Sequence, residues 1–162
     1  MEGFVKKVRL ITALALMLIL GAGIFSESRE RSVKEATAGY LVAARASDIE
    51  LLARVVSGEA AGEPYIGQVA VAAVVLNRVK SSKFPDSIPE VIYQPRAFES
   101  VSNGQIWARN PSRENYNAAR DALNGWDPTY GSLFFWNPYK RVSPWIWTRR
   151  IITQIGRHVF AR

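Results

Sequence analysis

Cysteine is absent from the 162 residues, and histidine occurs once, as His158. The first absence excludes disulfides, thiolate metal sites and a cysteine nucleophile. The second excludes a zinc centre built from several imidazoles. A Ser-His-Asp triad would have to use His158, and a histidine beside a terminal hairpin is more often structural. No phosphate-cradling loop or dinucleotide fingerprint is present. No run of carboxylates has calcium-loop spacing. Internal repeats and low-complexity tracts are also missing. No metal or cofactor is therefore expected.

The chain also lacks a long membrane-spanning run. Its longest uncharged apolar stretch, Leu10 to Phe25, is 16 residues, short of the ~20 that cross a bilayer comfortably. Lys6, Lys7 and Arg9 precede it. That order of charge and hydrophobicity is that of an export signal, with the basic end held inside and the remainder sent outward. No small-x-small cleavage pattern follows at once, since Ala36-Thr37-Ala38 lies far downstream. Residues 1–25 are expected to be a signal peptide or signal anchor, 26–46 a polar linker, and 47–162 the functional domain. The expected location is extracytoplasmic, either secreted to the wall or held at the membrane by this segment.

What is abundant is positive charge and tryptophan. The net charge is +7, with basic residues crowded after Lys140, which favours a polyanionic partner or a solvated basic face. Four of the five tryptophans fall between Trp126 and Trp147, where they serve either as core or as plates for sugar rings.

Periodicity predicts helices first and strands last, an α+β fold with segregated layers. Ser47-Asp48-Ile49-Glu50 has the form of a capping box. Ile49, Leu52, Ala53 and Val56 then share a helical face. Tyr65 to Val79 is apolar around most of its circumference, as suits a buried central helix. Ser112 is placed to cap a third helix stopped by Asn124-Gly125. Leu133 to Trp136 has strand character. Ile151 to Ile155 and His158 to Phe160 flank a Gly-x turn, as in a hairpin.

With other chemistries excluded, carboxylates remain. Glu59 stands where the first helix meets the loop Ala60-Ala61-Gly62-Glu63-Pro64. A carboxyl group against apolar surface is harder to ionise and suits a general acid. From spacing alone, Glu59 also reads as a helix-end carboxylate making a local hydrogen bond, the commoner role for that position. Glu63 is a second candidate, expected to be solvated in the loop.

Several stretches carry a resemblance. They are Ala53-Arg54-Val55-Val56-Ser57-Gly58-Glu59-Ala60-Ala61-Gly62-Glu63-Pro64, Gly67 to Val79, Val91-Ile92-Tyr93-Gln94-Pro95, Ala97-Phe98, and Gly104-Gln105-Ile106-Trp107. Ala122 to Pro128, Phe134-Phe135-Trp136-Asn137-Pro138, Ser143 to Trp147 and Ile155 to Phe160 continue the match in order. Together they resemble the catalytic domain of the spore cortex-lytic type of cell-wall hydrolase, the SleB-like family. The resemblance implies a compact lysozyme-like α+β domain that cuts peptidoglycan between N-acetylmuramic acid and N-acetylglucosamine, with known spore members acting as lytic transglycosylases. It implies Glu59 as the catalytic acid, and Glu63, Tyr93, Gln94, Phe98 and Asn137 along the substrate groove. A monomer acting on peptidoglycan, with no nucleic-acid partner, is expected. The spore enzymes usually carry a peptidoglycan-binding module, whereas here residues 26–46 alone separate the apolar run from the domain. A tethered enzyme acting on nearby wall therefore fits as well as a cortex-specific one. The alternatives are a non-catalytic wall-binding protein and a hydrolytic muramidase or glucosaminidase. For the latter, Glu99 is the second carboxylate to consider.

Overall fold

The computed structural model describes the backbone of residues 2–162 and the side chains of 27–162. The Leu10 to Phe25 run, with its expected export role, has its side chains outside the described residues. Among the described residues, no helix is long and apolar enough to cross a membrane. The chain divides into two compact units, Met1–Ala44 and Arg45–Arg162. In the first, residues 27–43 are exposed, in keeping with their polar composition. The second holds the core and the sheet.

The elements in order are α1 (Glu2–Glu59), α2 (Tyr65–Val79), α3 (Ile88–Ile92), α4 (Glu99–Ser102), α5 (Gln105–Ala108) and α6 (Arg113–Leu123). Then come β1 (Phe134–Trp136), a 3-10 helix (Pro144–Thr148), β2 (Ile151–Ile155) and β3 (His158–Ala161). The fold is α+β, helices first and a small antiparallel sheet last.

Ser47 does not begin a helix, contrary to the capping-box expectation. Helix α1 runs through it, because the preceding Ala36, Ala38, Ala43, Ala44 and Ala46 are strong helix formers and no proline interrupts them. Glu50, freed from a capping role, accepts from Arg54 Nε one turn on at 2.7 Å and from the Tyr116 hydroxyl of α6.

Helix α2 is central, as its apolar girth predicts. Val69, Val71, Ala72 and Val75 pack with Leu52, Val55 and Val56 of α1 and Ala118, Ala119 and Ala122 of α6. On another side, Ala70 and Val74 meet Phe160 of β3. The six α1 and α2 valines named here are fully buried, each contributing roughly 1.5–3 kcal/mol of apolar transfer. Ser112 caps α6 in a full capping box with Asn115. Asn124 ends that helix and Gly125 follows at φ 103°.

The sheet order is β1-β3-β2, both pairings antiparallel. Its middle strand is thus the last in sequence, and β1 is an edge. Side chains alternate along β3. His158 and Phe160 share one face with Phe135. Val159 and Ala161 pack on the other with Trp136 and Ile146.

Candidate active site

A groove of about 850 Å³ opens between the end of α1, the α3–α4 connection and the β1 edge. Glu59 is on its wall. The last turn of α1 presents Glu59 beside α4, and Ser100 N–H donates to Glu59 Oε1 at 2.7 Å. This contact depends on Gly58. A Cβ there would collide with Ser100 Cβ and approach Ser100 Oγ to 2.7 Å. The glycine that costs helix propensity therefore lets α4 reach the carboxylate.

Arg78 lies on the same groove. Its residue is 7% exposed, its Nε donates to Leu133 O at 2.8 Å, and its guanidinium lies 5.1–5.9 Å from the rings of Phe98, Phe84 and Phe134. Burial lowers its pKa to about 10, and the charge of Glu59 acts the other way. It remains a cation at neutral pH, held by aromatic faces with no carboxylate among the described residues paired to it at close range. The sequence carries one signal for this residue, the lone charged side chain of α2.

Gln94, Phe98 and Asn137 join Glu59 on the groove, as does Glu99. Phe98 is 2% exposed and chiefly supports Arg78 and Phe135. Glu99 is exposed, 3.8 Å from Lys140 Nζ. Tyr93 is exposed at the end of α3 and is not among the lining residues. Arg78, Arg96, Lys140 and Arg141 give the groove four cations against the two carboxylates.

Glu63 is elsewhere, and it is not solvated. Its side chain is 2% exposed. Arg157 Nε donates to its Oε1 at 2.7 Å and Arg157 N–H to its Oε2 at 2.9 Å. Arg157 also donates to Ala61 O at 3.1 Å. The loop predicted to leave Glu63 in water is instead covered by the β2–β3 turn. Gly156, at φ 57°, permits that cover, since a Cβ there would strike Glu63 Oε2 and come within 2.9 Å of Pro64 Cδ. Burial alone would raise the Glu63 pKa. The Arg157 backbone and guanidinium bonds, with the charges of His158 and Arg157, outweigh it and hold the carboxyl below its usual range. Glu63 locks the hairpin to the α1–α2 loop.

His158 lies on the groove as well. Its ring packs 5.3 Å from Phe135 and 6.3 Å from Phe160. Burial pushes its pKa down, Glu63 opposes this, and Arg157 and Lys140 reinforce the fall. Ser100 and Trp136 are further lining residues. Trp136 belongs to the tryptophan cluster read as core or sugar plates, and His158 to the hairpin histidine read as structural; Ser100 fell in no pattern the sequence offered, and the groove brings the three residues together.

Comparison with known proteins places the chain among cell-wall hydrolases. A family model described as Cell Wall Hydrolase matches residues 62–161. A spore cortex-lytic enzyme of Oceanobacillus iheyensis is 53% identical over 116 residues, 72% of this chain and 42% of that protein. The cell wall hydrolase CwlJ of Bacillus subtilis is 31% identical over 128 residues, 74% of this chain and 88% of that protein. The crystal structure of the catalytic domain of the Bacillus cereus SleB protein superposes with a TM-score of 0.66 at 52% identity, covering 71% of this chain and 89% of that one. The catalytic domain of the germination-specific lytic transglycosylase SleB from Bacillus anthracis gives 0.67 at 51%, covering 71% and 93%. The chain spans less than half the length of the curated spore cortex-lytic enzymes it matches. On the family match and these identities, the chain belongs to the cell-wall hydrolase family, carrying a catalytic domain of the SleB-like, spore cortex-lytic type.

Proposed function

We propose that residues 47–162 cleave peptidoglycan glycan strands between N-acetylmuramic acid and N-acetylglucosamine as a lytic transglycosylase, with Glu59 as acid and then base. The observation that carries this reading is the Glu59 carboxyl on the groove wall, one oxygen fixed by the Ser100 N–H. With that oxygen held, the other carries the proton to the leaving glucosamine oxygen as the muramic C1–O bond breaks. The carboxylate left behind accepts the proton of the muramic C6 hydroxyl, and C6–O closes on C1. The product ends in a 1,6-anhydro sugar, the proton returns to the carboxyl, and no water is consumed. The substrate supplies its own nucleophile, so proximity replaces a second catalytic carboxylate. Arg78 neutralises charge at the site while Glu59 is ionised. Gln94 and Asn137 line the same groove and supply side-chain amides for sugar hydroxyl and acetamido groups. The related Bacillus anthracis domain, itself called a lytic transglycosylase, favours the same chemistry. The basic-flanked run from Leu10 to Phe25 would carry the domain outward to the wall and serve as its tether.

A second reading has one observation in its favour. Glu99 shares the groove with Glu59, and two carboxylates flanking a glycosidic bond are the machinery of hydrolysis. Digestion of purified peptidoglycan in ¹⁸O-labelled water, followed by mass spectrometry, separates the two. Unlabelled 1,6-anhydromuramic ends are expected. Labelled reducing muramic ends would replace transglycosylation with hydrolysis through Glu99. Labelled reducing glucosamine ends would move the scissile bond.

A further inference from the structure

The four cations that line the groove differ in what holds them. Arg78 is buried among aromatic rings and feels the charge of Glu59. Lys140 lies 3.8 Å from Glu99. Arg96 and Arg141 are exposed, and among the described residues neither side chain makes an ion pair, a hydrogen bond or an aromatic stack. Each groove carboxylate thus already has a cation facing it, and two guanidinium groups remain. Arg96 is also held against its backbone preference. Ala97 N–H donates to Gln94 O at 3.1 Å, closing a turn with Pro95 and Arg96 at its centre. Arg96 has φ 63°, the left-handed conformation that a residue with a Cβ disfavours and that glycine ordinarily supplies at this turn position. Strain kept where glycine would fit points to a use for the side chain. The turn leads into α4, whose Ser100 N–H holds Glu59. Arg141 comes from the segment after β1, and its neighbour Lys140 reaches Glu99 at the start of α4. The two arginines therefore belong to segments that meet across the groove.

We propose that Arg96 and Arg141 form a binding site for the carboxylates of the peptide stem that muramic acid carries, so that the groove reads the peptide as well as the glycan. This rests on the reading that the groove takes peptidoglycan. The chemistry of that substrate says where its charge lies. N-acetylglucosamine is neutral, and in a stem-bearing muramic residue the lactyl carboxyl is consumed in the amide bond to the peptide. The anions of such a strand are therefore in the stem. A guanidinium group presents a planar fork of N–H donors that matches a carboxylate with two parallel bonds. Exposure of both arginines suits a flexible substituent that projects from the sugar, whereas the buried Arg78 serves Glu59. Arginines present only for solubility would need neither the strained turn nor a place on the same groove.

The test introduces Arg96→Gly and Arg141→Gln, singly and together, into the full-chain Glu59→Gln protein, so that binding is measured without cutting. Calorimetry compares three soluble glycan strands: with peptide stems, with the stem carboxylates converted to amides, and with the stems removed by an amidase. The parent should bind the stem-bearing strands roughly tenfold more tightly than the other two, the product of two exposed ion pairs, and added salt should narrow that difference. Each single variant should reduce the difference roughly two- to fivefold, and the double variant should bring the ratio close to one. Arg96→Lys, which keeps the charge and loses the fork, should retain part of it. Thermal unfolding of Arg96→Gly should be unchanged or raised, because glycine accepts φ 63° without strain. If the turn needs arginine for folding, Tm and the affinity for all three strands fall together, and that result would overturn the proposal. A stem preference that survives in the double variant would overturn it too. Equal affinity of the parent for the three strands would overturn it while leaving the glycan reading intact. If the parent binds none of the strands and wild type cuts none, the glycan reading falls and this inference with it.

Discussion

Replacing Glu63 by glutamine separates a structural carboxylate from a catalytic one. In the native protein this carboxylate is 2% exposed, and both oxygens accept from Arg157, at 2.7 and 2.9 Å. Glutamine keeps one acceptor oxygen and places an NH₂ opposite the other Arg157 N–H. One charge-assisted bond is lost and two donors face each other. Hydrogen bonds to charged groups contribute about 1.5–3 kcal/mol each, and breaking a buried pair costs about 3–5. The Arg157 side chain is 56% exposed, so water recovers part of that. A net loss of about 2 kcal/mol is expected. For a domain of this size that corresponds to a Tm lower by about 8 °C. The assay is thermal unfolding of residues 45–162 as a function of pH. Because the folded pKa of Glu63 lies below its unfolded value, the ion-pair contribution is full above the unfolded pKa. It disappears as pH falls through the folded pKa. The Tm gap between wild type and variant should therefore be full at neutral pH and close in acid below the ordinary glutamate range. Turnover at a temperature where both proteins are folded should change little. A variant with unchanged Tm and abolished turnover would refute the assignment of Glu63 to the hairpin lock.

Glu59→Gln should show the opposite pattern, with near-complete loss of wall lysis and Tm within about 1 °C of wild type, since the amide still accepts from Ser100 N–H. Normal turnover in a folded Glu59→Gln protein would remove it as the acid. Gly58→Ala should lower Tm by several degrees, because the overpacking cost of about 1–3 kcal/mol exceeds the helix-propensity gain of up to about 1. It should also lower turnover at least about tenfold, measured on purified wall, by pushing Ser100 away from Glu59. Dialysis against a chelator should leave lysis intact, since among the described residues no group of three His, Cys, Asp or Glu side chains could hold a metal ion. Activity lost on chelation and restored by calcium or zinc would contradict this.

Short-range order was legible in the sequence wherever the signal repeats within a turn or a pleat. The bounds of α2, the Ser112 cap of α6, the strand at Phe134–Trp136 and the final hairpin follow from apolar period, caps and the glycine at 156. The Ser47 cap did not hold, because a capping pattern starts a helix only where the preceding residues cannot continue it. The short helices α3, α4 and α5, of four or five residues each, are too brief to show periodicity. For the site, composition removed thiolate chemistry and a zinc centre of several imidazoles, and the family resemblance, more than spacing, pointed to Glu59. Tertiary structure decided which carboxylates face the groove. Glu59 and Glu63 are four residues apart, yet one meets Ser100 from α4 and the other is closed over by Arg157, 94 positions away in the chain. It also drew Arg78, Ser100, Trp136 and His158 to one groove. Local patterns record what a residue does to its own helix or strand. Burial and ion pairing depend on neighbours brought in from distant parts of the chain, and these exist only once the hairpin has closed on α2 and the α1–α2 loop.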